Sequence, residues 1–320
     1  MRTVLVVTSG RADASPLRKV VEELRKRCAV YELGLGGRNP SECVDAVTYF
    51  LHDTCPDILL LLGDRYETLA TALAATYCRV PIVHIHGGET TLGAFDNNIR
   101  DAVTKLSHLH FVATDYFADV LVEFLGEDRS RVWRTGAPGL DLIPRDKVKR
   151  GDHIVVTYHP ETLGDDASLV PMLEALNRVY DRHIIWTGVN QDPGASDVES
   201  AFVSAGYTQR ALTPDEYIEC CRTAALIVGN SSSGIIEAPS MGGPSVNVGI
   251  RQTGRVSGPS VNHVTTQQKV FCAPTDAIEA SIICALDYGG PFTNPYQGEN
   301  ASEQIAEIVA THHLDIMVKE

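Results

Sequence analysis

Three consecutive serines, Ser231, Ser232 and Ser233, form the most informative segment of the chain. An apolar run, residues 226–228, precedes them and a helical pattern follows, which predicts a strand, a tight turn and the start of a helix. Hydroxyls and backbone N–H groups at such a turn, with the positive end of the helix dipole, suit a phosphate or diphosphate. Serine and asparagine are also ordinary N-caps, so this segment by itself leaves a capping role open.

Other polar residues follow the ends of other apolar runs. Because open α/β sheets bind their ligands at the carboxyl ends of the strands, such a set favours a functional site over a purely structural role. In the first half of the chain these residues are Arg11, Asp13, Asp64, Arg65, His84, His86 and Glu89, and in the second half Tyr158, His159, Asn190 and Asp192.

Cofactor motifs are weak in this sequence. His84 and His86 alternate along a predicted strand near Glu89, so a metal site is conceivable, but a buried, hydrogen-bonded histidine is the commoner outcome. Residues 34–37 match only half of a dinucleotide fingerprint, because the third glycine is missing. Neither a Walker A loop nor a G-x-S-x-G elbow occurs. We therefore expect no metal and no other cofactor.

Length and composition are typical of a soluble protein with two ordinary domains, since the chain has 320 residues, 44% of them hydrophobic and 21% charged. The formal net charge of −14 argues against binding to nucleic acid or to an anionic membrane. The apolar runs are too short for a signal peptide or a membrane span, so we expect a cytoplasmic protein. Eight cysteines without a C-x-x-C pair suggest neither a zinc ribbon nor a disulfide framework.

Apolar runs alternate with helical patterns along the chain, and the runs are continuous rather than alternating. This predicts parallel strands covered by helices on both faces, and so an α/β fold. A polar segment, residues 143–152, interrupts the alternation and is typical of a linker. We expect a Rossmann-like domain over residues 1–150, a second over 151–301, and a helix within 302–320 that packs back on the first domain. The strands predicted are 3–8, 30–33, 58–62, 81–86, 154–157, 183–187, 225–228 and 245–248, and Ser15 is predicted as the N-cap of the first helix.

In combination, several motifs resemble those of the UDP-N-acetylglucosamine 2-epimerase family, particularly its hydrolysing branch. The resemblance extends over nearly the whole chain. It implies two Rossmann-like domains of the glycosyltransferase-B type facing a cleft, which agrees with the alternation of strands and helices. The motifs are residues 63–67, 84–91, 96–105, 136–139, 229–239 and 251–255.

The resemblance implies that UDP-N-acetylglucosamine is converted to UDP and N-acetylmannosamine by elimination and then hydration, for sialic-acid-type nonulosonic acids. Such a reaction needs cations and N–H donors at the diphosphate and proton-transfer groups at the sugar. Three alternatives remain open. They are hydrolysing epimerisation of a UDP- or GDP-linked 2,4-diacetamido-trideoxy sugar, non-hydrolysing epimerisation, and a glycosyltransferase or inactive nucleotide-sugar binder on the same fold.

Positions in these motifs imply roles for individual residues. Asp64 is the first candidate for proton transfer, followed by Asp96 and Glu89. Arg65 and Arg100 could keep these carboxylates ionised or contact the substrate. His159 is expected to bond to or protonate the diphosphate, and Glu237 to hold the ribose hydroxyls. His86 is a further catalytic candidate, and the other expected nucleotide and phosphate contacts are Arg11, Ser15, Asn190, Asp192, Ser231, Ser232, Ser233 and Arg251.

The chain also departs from the family pattern. His86 stands where many relatives have glutamate, Asn97 occupies a position that is often acidic, and Asp101 replaces a common histidine. Residues 34–56 form a shorter region than in typical members. The expected partners are a UDP-sugar substrate and further copies of the chain, as a homodimer or homotetramer, with no nucleic acid and no membrane.

Overall fold

The contacts within the chain divide it into two compact units. The computed structural model describes residues 1–163, 166–179, 183–190, 192–265 and 274–314, without the side chains of residues 11 and 12. Unit 1 consists of Met1–Glu89, Asp96–Leu142 and the described residues from Tyr296 onward. Unit 2 consists of Thr90–Phe95 and the described residues of Ile143–Pro295.

Strands and helices alternate throughout the described residues. The strands are β1 Thr3–Thr8, β2 Ala29–Gly34, β3 Ile58–Leu62, β4 Ile82–Ile85, β5 Leu109–Val112, β6 Val132–Arg134, β7 Ile154–Thr157, β8 Ile184–Trp186, β9 Leu226–Gly229, β10 Ser245–Val248 and β11 Val261–Val264. The helices are α1 Arg11–Arg25, α2 Pro40–Thr54, α3 Tyr66–Tyr77, α4 Asp96–Leu106, α5 Asp115–Asp119, α6 Leu169–Val179, α7 Ala195–Ser204, α8 Pro214–Thr223, α9 Ser233–Ile236, α10 Thr275–Leu286 and α11 Ala301–Thr311.

Unit 1 contains a sheet of six described strands in the order β2-β1-β3-β4-β5-β6. Every adjacent pair runs parallel. Two hydrophobic layers cover it, one with α1 and α11 and the other with α2 and α3. The centres of β1 and β3 are buried, which explains why their sequences are continuous apolar runs, whereas most residues of the edge strands β2 and β6 are exposed or only partly buried.

The helix α11 packs against α1, so the chain returns to unit 1 near its end. Ile305 and Val309 lie in the same buried layer as the side chains of α1. The backbone N–H of Ser302 donates to Asp141 at 2.7 Å, which fixes the start of the helix. The helix runs from Ala301 to Thr311, whereas the prediction allowed it to extend within 302–320, and residues 315–320 lie outside the described part.

Unit 2 contains a second parallel sheet, whose described strands have the order β11-β10-β9-β7-β8. Its core includes a stacked pair, Trp186 and Phe202, with ring centroids 4.4 Å apart. The predicted linker, residues 143–152, has no helix or strand and belongs to unit 2, where Arg222 pairs with Asp146 at 2.8 Å. These two sheets confirm the predicted α/β class with two Rossmann-like units.

One predicted boundary is wrong, because α1 begins at Arg11 rather than after Ser15. The Asp13 carboxylate accepts hydrogen bonds from the backbone N–H groups of Ser9 and Gly10 at 2.6 and 2.8 Å. It also accepts a hydrogen bond from the Ser9 hydroxyl. These bonds satisfy donors ahead of the helix and fix its first turn five residues earlier than predicted. Ser15 therefore lies inside the helix and is partly buried.

Candidate active site

The carboxyl edge of the unit 1 sheet gathers most of the expected proton-transfer residues. Asp64 and Arg65 follow β3, His86 and Glu89 follow β4, and Asp96 is the first residue of α4. A parallel sheet ends its strands at the same edge, so these residues come from separate loops that lie side by side.

Arg100 of α4 joins three of these segments. Its side chain is 1% exposed, and its Nη2 pairs with Asp64 Oδ2. Its Nη1 donates to the carbonyl of Glu89 and, at 2.8 Å, to Asn97 Oδ1. One buried guanidinium thus connects the β3 turn, the β4 loop and the start of α4 by charge-assisted hydrogen bonds, which are stronger than neutral ones.

His86 is bonded to Glu89. The distance between His86 Nδ1 and Glu89 Oε1 is 2.5 Å, and the Glu89 side chain is 2% exposed. A carboxylate only accepts, so His86 Nδ1 carries a proton and donates it. In the neutral ring this leaves the lone pair on Nε2, the atom that can then take up a proton.

His84 is fully buried and points to different partners than His86. Burial lowers the pKa of His84 from 6.5 to about 3, so the ring is neutral. Nε2 must donate to the carbonyl of Gly63 at 2.8 Å, and Nδ1 then accepts from the Thr104 hydroxyl at 3.2 Å. His84 therefore ties the turn that carries Asp64 to α4.

A metal site finds no support at this edge. Among the residues that the structure describes, no group of three or more His, Cys, Asp and Glu side chains is placed to hold a metal ion. The two histidines that suggested one have separate hydrogen bonds, since His84 contacts Gly63 and His86 contacts Glu89.

The remaining unit 1 candidates are more peripheral. Arg65 contacts Glu67 at 3.3 Å, and its side chain is 27% exposed. Asp96 is partly exposed, as is Ser15 in the second turn of α1. Arg11 begins α1, but its side chain lies outside the described part of the structure.

In unit 2, His159 and Asn230 join the loops after β7 and β9. The backbone N–H of His159 donates to Asn230 Oδ1 at 2.7 Å, and Asn230 Nδ2 donates to the His159 carbonyl at 2.7 Å. Asn230 is fully buried. This reciprocal pair fixes the His159 backbone against the serine turn.

The His159 ring is held as a neutral hydrogen-bond donor. Burial, with a smaller effect of the positive Arg251, lowers its pKa well below the ordinary value. Nδ1 accepts the backbone N–H of Asn190 at 3.1 Å, so the ring proton is on Nε2. Of the two roles expected for this residue, donation of a hydrogen bond therefore fits better than donation of a proton from a charged ring.

The serine turn differs in detail from the sequence prediction. Gly229 has φ +139°, and a Cβ there would lie 2.0 Å from the Thr157 carbonyl, so only glycine fits this approach. A helix does begin after the turn as predicted, but α9 has only four residues, so its dipole is small. The Ser233 hydroxyl lies 2.5 Å from Tyr217 and 3.1 Å from Ser231, so Ser233 supports the turn from the protein side.

The loop after β10 lies against the serine turn. Arg251 Nη1 and Gln252 Nε2 both donate to the Asn230 carbonyl, at 3.2 and 3.0 Å. Glu237 follows α9 and is partly buried. Asp192 lies just before α7 and is partly exposed. The structure thus brings His159, Arg251, Asn190 and the serines together, with Asp192 and Glu237 on the neighbouring elements.

Sequence reasoning missed three residues that fix this arrangement: the buried Asn230 and Glu161, and the partly buried Tyr217. Asn230 directly follows an apolar strand, and this position could have identified it. Glu161 lies two residues after His159 and accepts from the loop after β10. Tyr217 lies on α8, and its contact with Ser233 depends on packing that no local pattern shows.

Comparisons with known proteins identify the family of the chain. The profile of the UDP-N-acetylglucosamine 2-epimerase family matches residues 3–310. The polysialic acid biosynthesis protein P7 of Escherichia coli is 30% identical over 84% of this chain and 73% of its own length. A Legionella pneumophila UDP-N,N'-diacetylbacillosamine 2-epimerase (hydrolyzing) is 28% identical over 97% of this chain and 96% of its own.

A solved structure confirms the fold. The Neisseria meningitidis UDP-GlcNAc 2-epimerase bound to UDP-GlcNAc aligns with a TM-score of 0.77 at 18% identity, covering 96% of this chain and 99% of that one. The predicted fold class, Rossmann-like domains of the glycosyltransferase-B type, is confirmed by this likeness. In the described part of the chain, no helix combines the length and apolar character that a membrane crossing requires.

Proposed function

Because the chain belongs to the UDP-N-acetylglucosamine 2-epimerase family, we propose that it is the hydrolysing enzyme, which converts UDP-N-acetylglucosamine to UDP and N-acetylmannosamine. The observation that carries the proposal is the cluster at the unit 1 sheet edge. There Arg100 holds Asp64 and the Glu89 backbone, and His86 is bonded to the Glu89 side chain.

In the proposed reaction, a base of unit 1 takes the proton from the sugar carbon C2. The bond between C1 and the diphosphate oxygen breaks, and UDP leaves with its electron pair. Asp64, Asp96, and His86 through its Nε2 are the candidate proton-transfer groups, and Glu89 orients His86. Water then adds to the C1–C2 double bond, with its hydroxyl on C1 and its proton on the opposite face of C2, which yields the manno configuration.

Unit 2 is proposed to hold the leaving group. His159 Nε2–H, the Arg251 guanidinium, and the Ser231 and Ser232 hydroxyls and N–H groups would stabilise the charge that develops on the diphosphate. A neutral His159 suits this role, because a fixed donor needs no change of protonation during the reaction. Asn190, Asp192 and Glu237 are proposed to contact the nucleotide, together with Arg11 and Ser15 from unit 1. The proposal requires both groups of residues to act on one substrate molecule.

The reaction is tested by incubating the full chain with UDP-N-acetylglucosamine and following products by NMR in D2O. We expect free UDP and N-acetylmannosamine with deuterium at C2. UDP-N-acetylmannosamine without free sugar would contradict hydrolysis and favour the reversible epimerase. Tight binding of UDP without turnover or deuterium uptake would favour the inactive binder or a glycosyltransferase.

A second candidate is supported by the name of the Legionella relative, which is a hydrolysing epimerase of a diacetamido sugar. The same assay with UDP- and GDP-linked 2,4-diacetamido-trideoxy sugars separates the two substrates by kcat/KM. We further propose a role toward sialic-acid-type sugars, a homodimeric or homotetrameric assembly, and a cytoplasmic location. Light scattering with size exclusion measures the assembly directly.

A further inference from the structure

A buried carboxylate holds the loop that carries Arg251. Glu161 is 3% exposed, and its Oε1 accepts the backbone N–H groups of Ile250 at 2.8 Å and Arg251 at 3.3 Å. The approach is close, because a Cβ on Gly249, where φ is +86°, would lie 2.2 Å from this oxygen. Glu161 therefore sets the backbone position from which the Arg251 side chain extends.

The second oxygen of Glu161 is in an unusual position for a charged group. Oε2 is buried and has no hydrogen-bond partner in the described residues. Burial raises the pKa of Glu161 from 4.5 to about 7, opposed by the two N–H groups. The ionisable groups that face it are Asp166, which raises the pKa further, Arg251, which lowers it, and Tyr158, whose own pKa is raised so that it stays protonated.

We propose that Glu161 is a positioning residue that holds the Arg251 loop and takes up a proton from solvent when a sugar diphosphate binds beside Arg251. The inference rests on the proposed function, because it takes Arg251 as a diphosphate ligand. The step forms one O–H bond on Oε2 and breaks none in the substrate. Oε1 keeps both backbone hydrogen bonds, so the loop stays in place in either protonation state.

The coupling between diphosphate binding and protonation of Glu161 follows from electrostatic repulsion. A diphosphate adds negative charge near Arg251, and a buried carboxylate is poorly screened from it, so binding favours the neutral form of Glu161. If binding raises the pKa from about 7 by one further unit, about 0.4 proton is taken up at pH 7. The affinity then falls about fivefold between pH 6 and pH 8.

Isothermal titration calorimetry of the full chain with UDP-glucose tests this. The diphosphate of UDP-glucose is a diester that does not titrate between pH 6 and 8, so proton uptake comes from the protein. Titrations in two buffers of different ionisation enthalpy give the number of protons taken up at pH 6, 7 and 8. We expect uptake in the wild type and the fivefold loss of affinity stated above.

Two variants separate charge from position. Glu161→Gln keeps an acceptor for both N–H groups but cannot titrate, so it should bind without proton uptake, with the wild-type affinity at pH 6 and about fivefold tighter than wild type at pH 8. Glu161→Ala removes both the charge and the acceptor, so it should bind more weakly than Glu161→Gln at every pH. Glu199→Gln, on the exposed face of α7, removes an equal charge elsewhere and should keep the wild-type linkage.

Three results overturn the inference. Proton uptake that persists in Glu161→Gln, or is absent from the wild type, contradicts the role of Glu161 while UDP-glucose binding leaves the proposed function in place. Equal affinity of the alanine and glutamine variants contradicts the positioning role. No binding of UDP-glucose or UDP by the wild type at any pH overturns the proposed function and this inference together.

Discussion

Replacing Asp64 with asparagine tests the proton-transfer assignment with little change of shape. Asp64 is the carboxylate partner of Arg100, whose guanidinium also bonds to the Glu89 carbonyl and to Asn97. Asparagine keeps an oxygen acceptor for Arg100 but cannot take or give a proton. The variant should therefore keep the geometry of the sheet edge and lose the chemistry.

The expected loss of turnover can be estimated. A positioned acid or base contributes about 10²–10⁴-fold, which corresponds to about 2.7–5.4 kcal/mol of transition-state stabilisation. The cost in folding free energy should be smaller, about 1–2 kcal/mol, because a charged acceptor becomes a neutral one while the hydrogen bond to Arg100 persists. Most proposed nucleotide contacts lie in unit 2, so the Kd for UDP should change by less than about twofold.

Three measurements check these values: UDP release under single-turnover conditions, deuterium entry at C2, and UDP binding by calorimetry. Asp115→Asn is a suitable control, because Asp115 follows β5 at the same sheet edge and is exposed. It should leave all three unchanged. Full activity in Asp64→Asn would refute the assignment, and an equal loss of UDP binding would show that Asp64 acts through structure or nucleotide contact.

Four further variants test the supporting residues. Ser232→Ala should weaken UDP binding about tenfold by calorimetry, because a neutral donor to a charged oxygen is lost. Ser233→Ala should weaken UDP binding less, since the Ser233 hydroxyl contacts Tyr217. Asn230→Ala leaves the buried N–H and carbonyl of His159 without partners, so urea unfolding should show a loss of about 2–4 kcal/mol. His84 is neutral when folded, so the protein should lose stability as pH falls below 6.5 toward 3. The His84→Gln variant should lose about 2 kcal/mol less than the wild type between pH 7 and pH 5.

Burial determined how much of the fold could be predicted. The strands β1, β3, β7 and β10 have the predicted bounds, because their residues are mostly aliphatic and largely buried, although β10 includes Asn247. The strands β5, β6 and β11 were not predicted. Each has three or four residues and includes polar or aromatic ones, such as His110 in β5 and Trp133 in β6, so pairing with neighbouring strands forms them more than local pattern does.

The candidate site likewise contains residues that the sequence could identify and contacts that it could not. Strand ends and motifs pointed to Asp64, Glu89 and His159, since such positions are visible in the sequence. The contacts of Arg100 with the Glu89 carbonyl and of Glu161 with the Arg251 loop were not visible, because each joins distant segments through a backbone group. Backbone carbonyl and N–H groups are common to nearly all residue types, so a contact made by one of them leaves no pattern in the sequence.

The family resemblance implies that many relatives have glutamate where this chain has His86, and the contact of His86 with Glu89 indicates how that difference would affect the site. Glu89 is only 2% exposed and accepts from His86 Nδ1, so it fixes the ring orientation and the tautomer in which the Nε2 lone pair is available. A carboxylate at position 86 would instead face a second buried carboxylate 2.5 Å from the present imidazole, and the two could not both be ionised. Glu89 and His86 are thus a matched pair, and His86→Glu should lower turnover unless Glu89 is also changed to a neutral residue. Recovery of activity in the His86→Glu, Glu89→Gln double variant relative to the single one would support this coupling, and simple additivity of the two changes would contradict it.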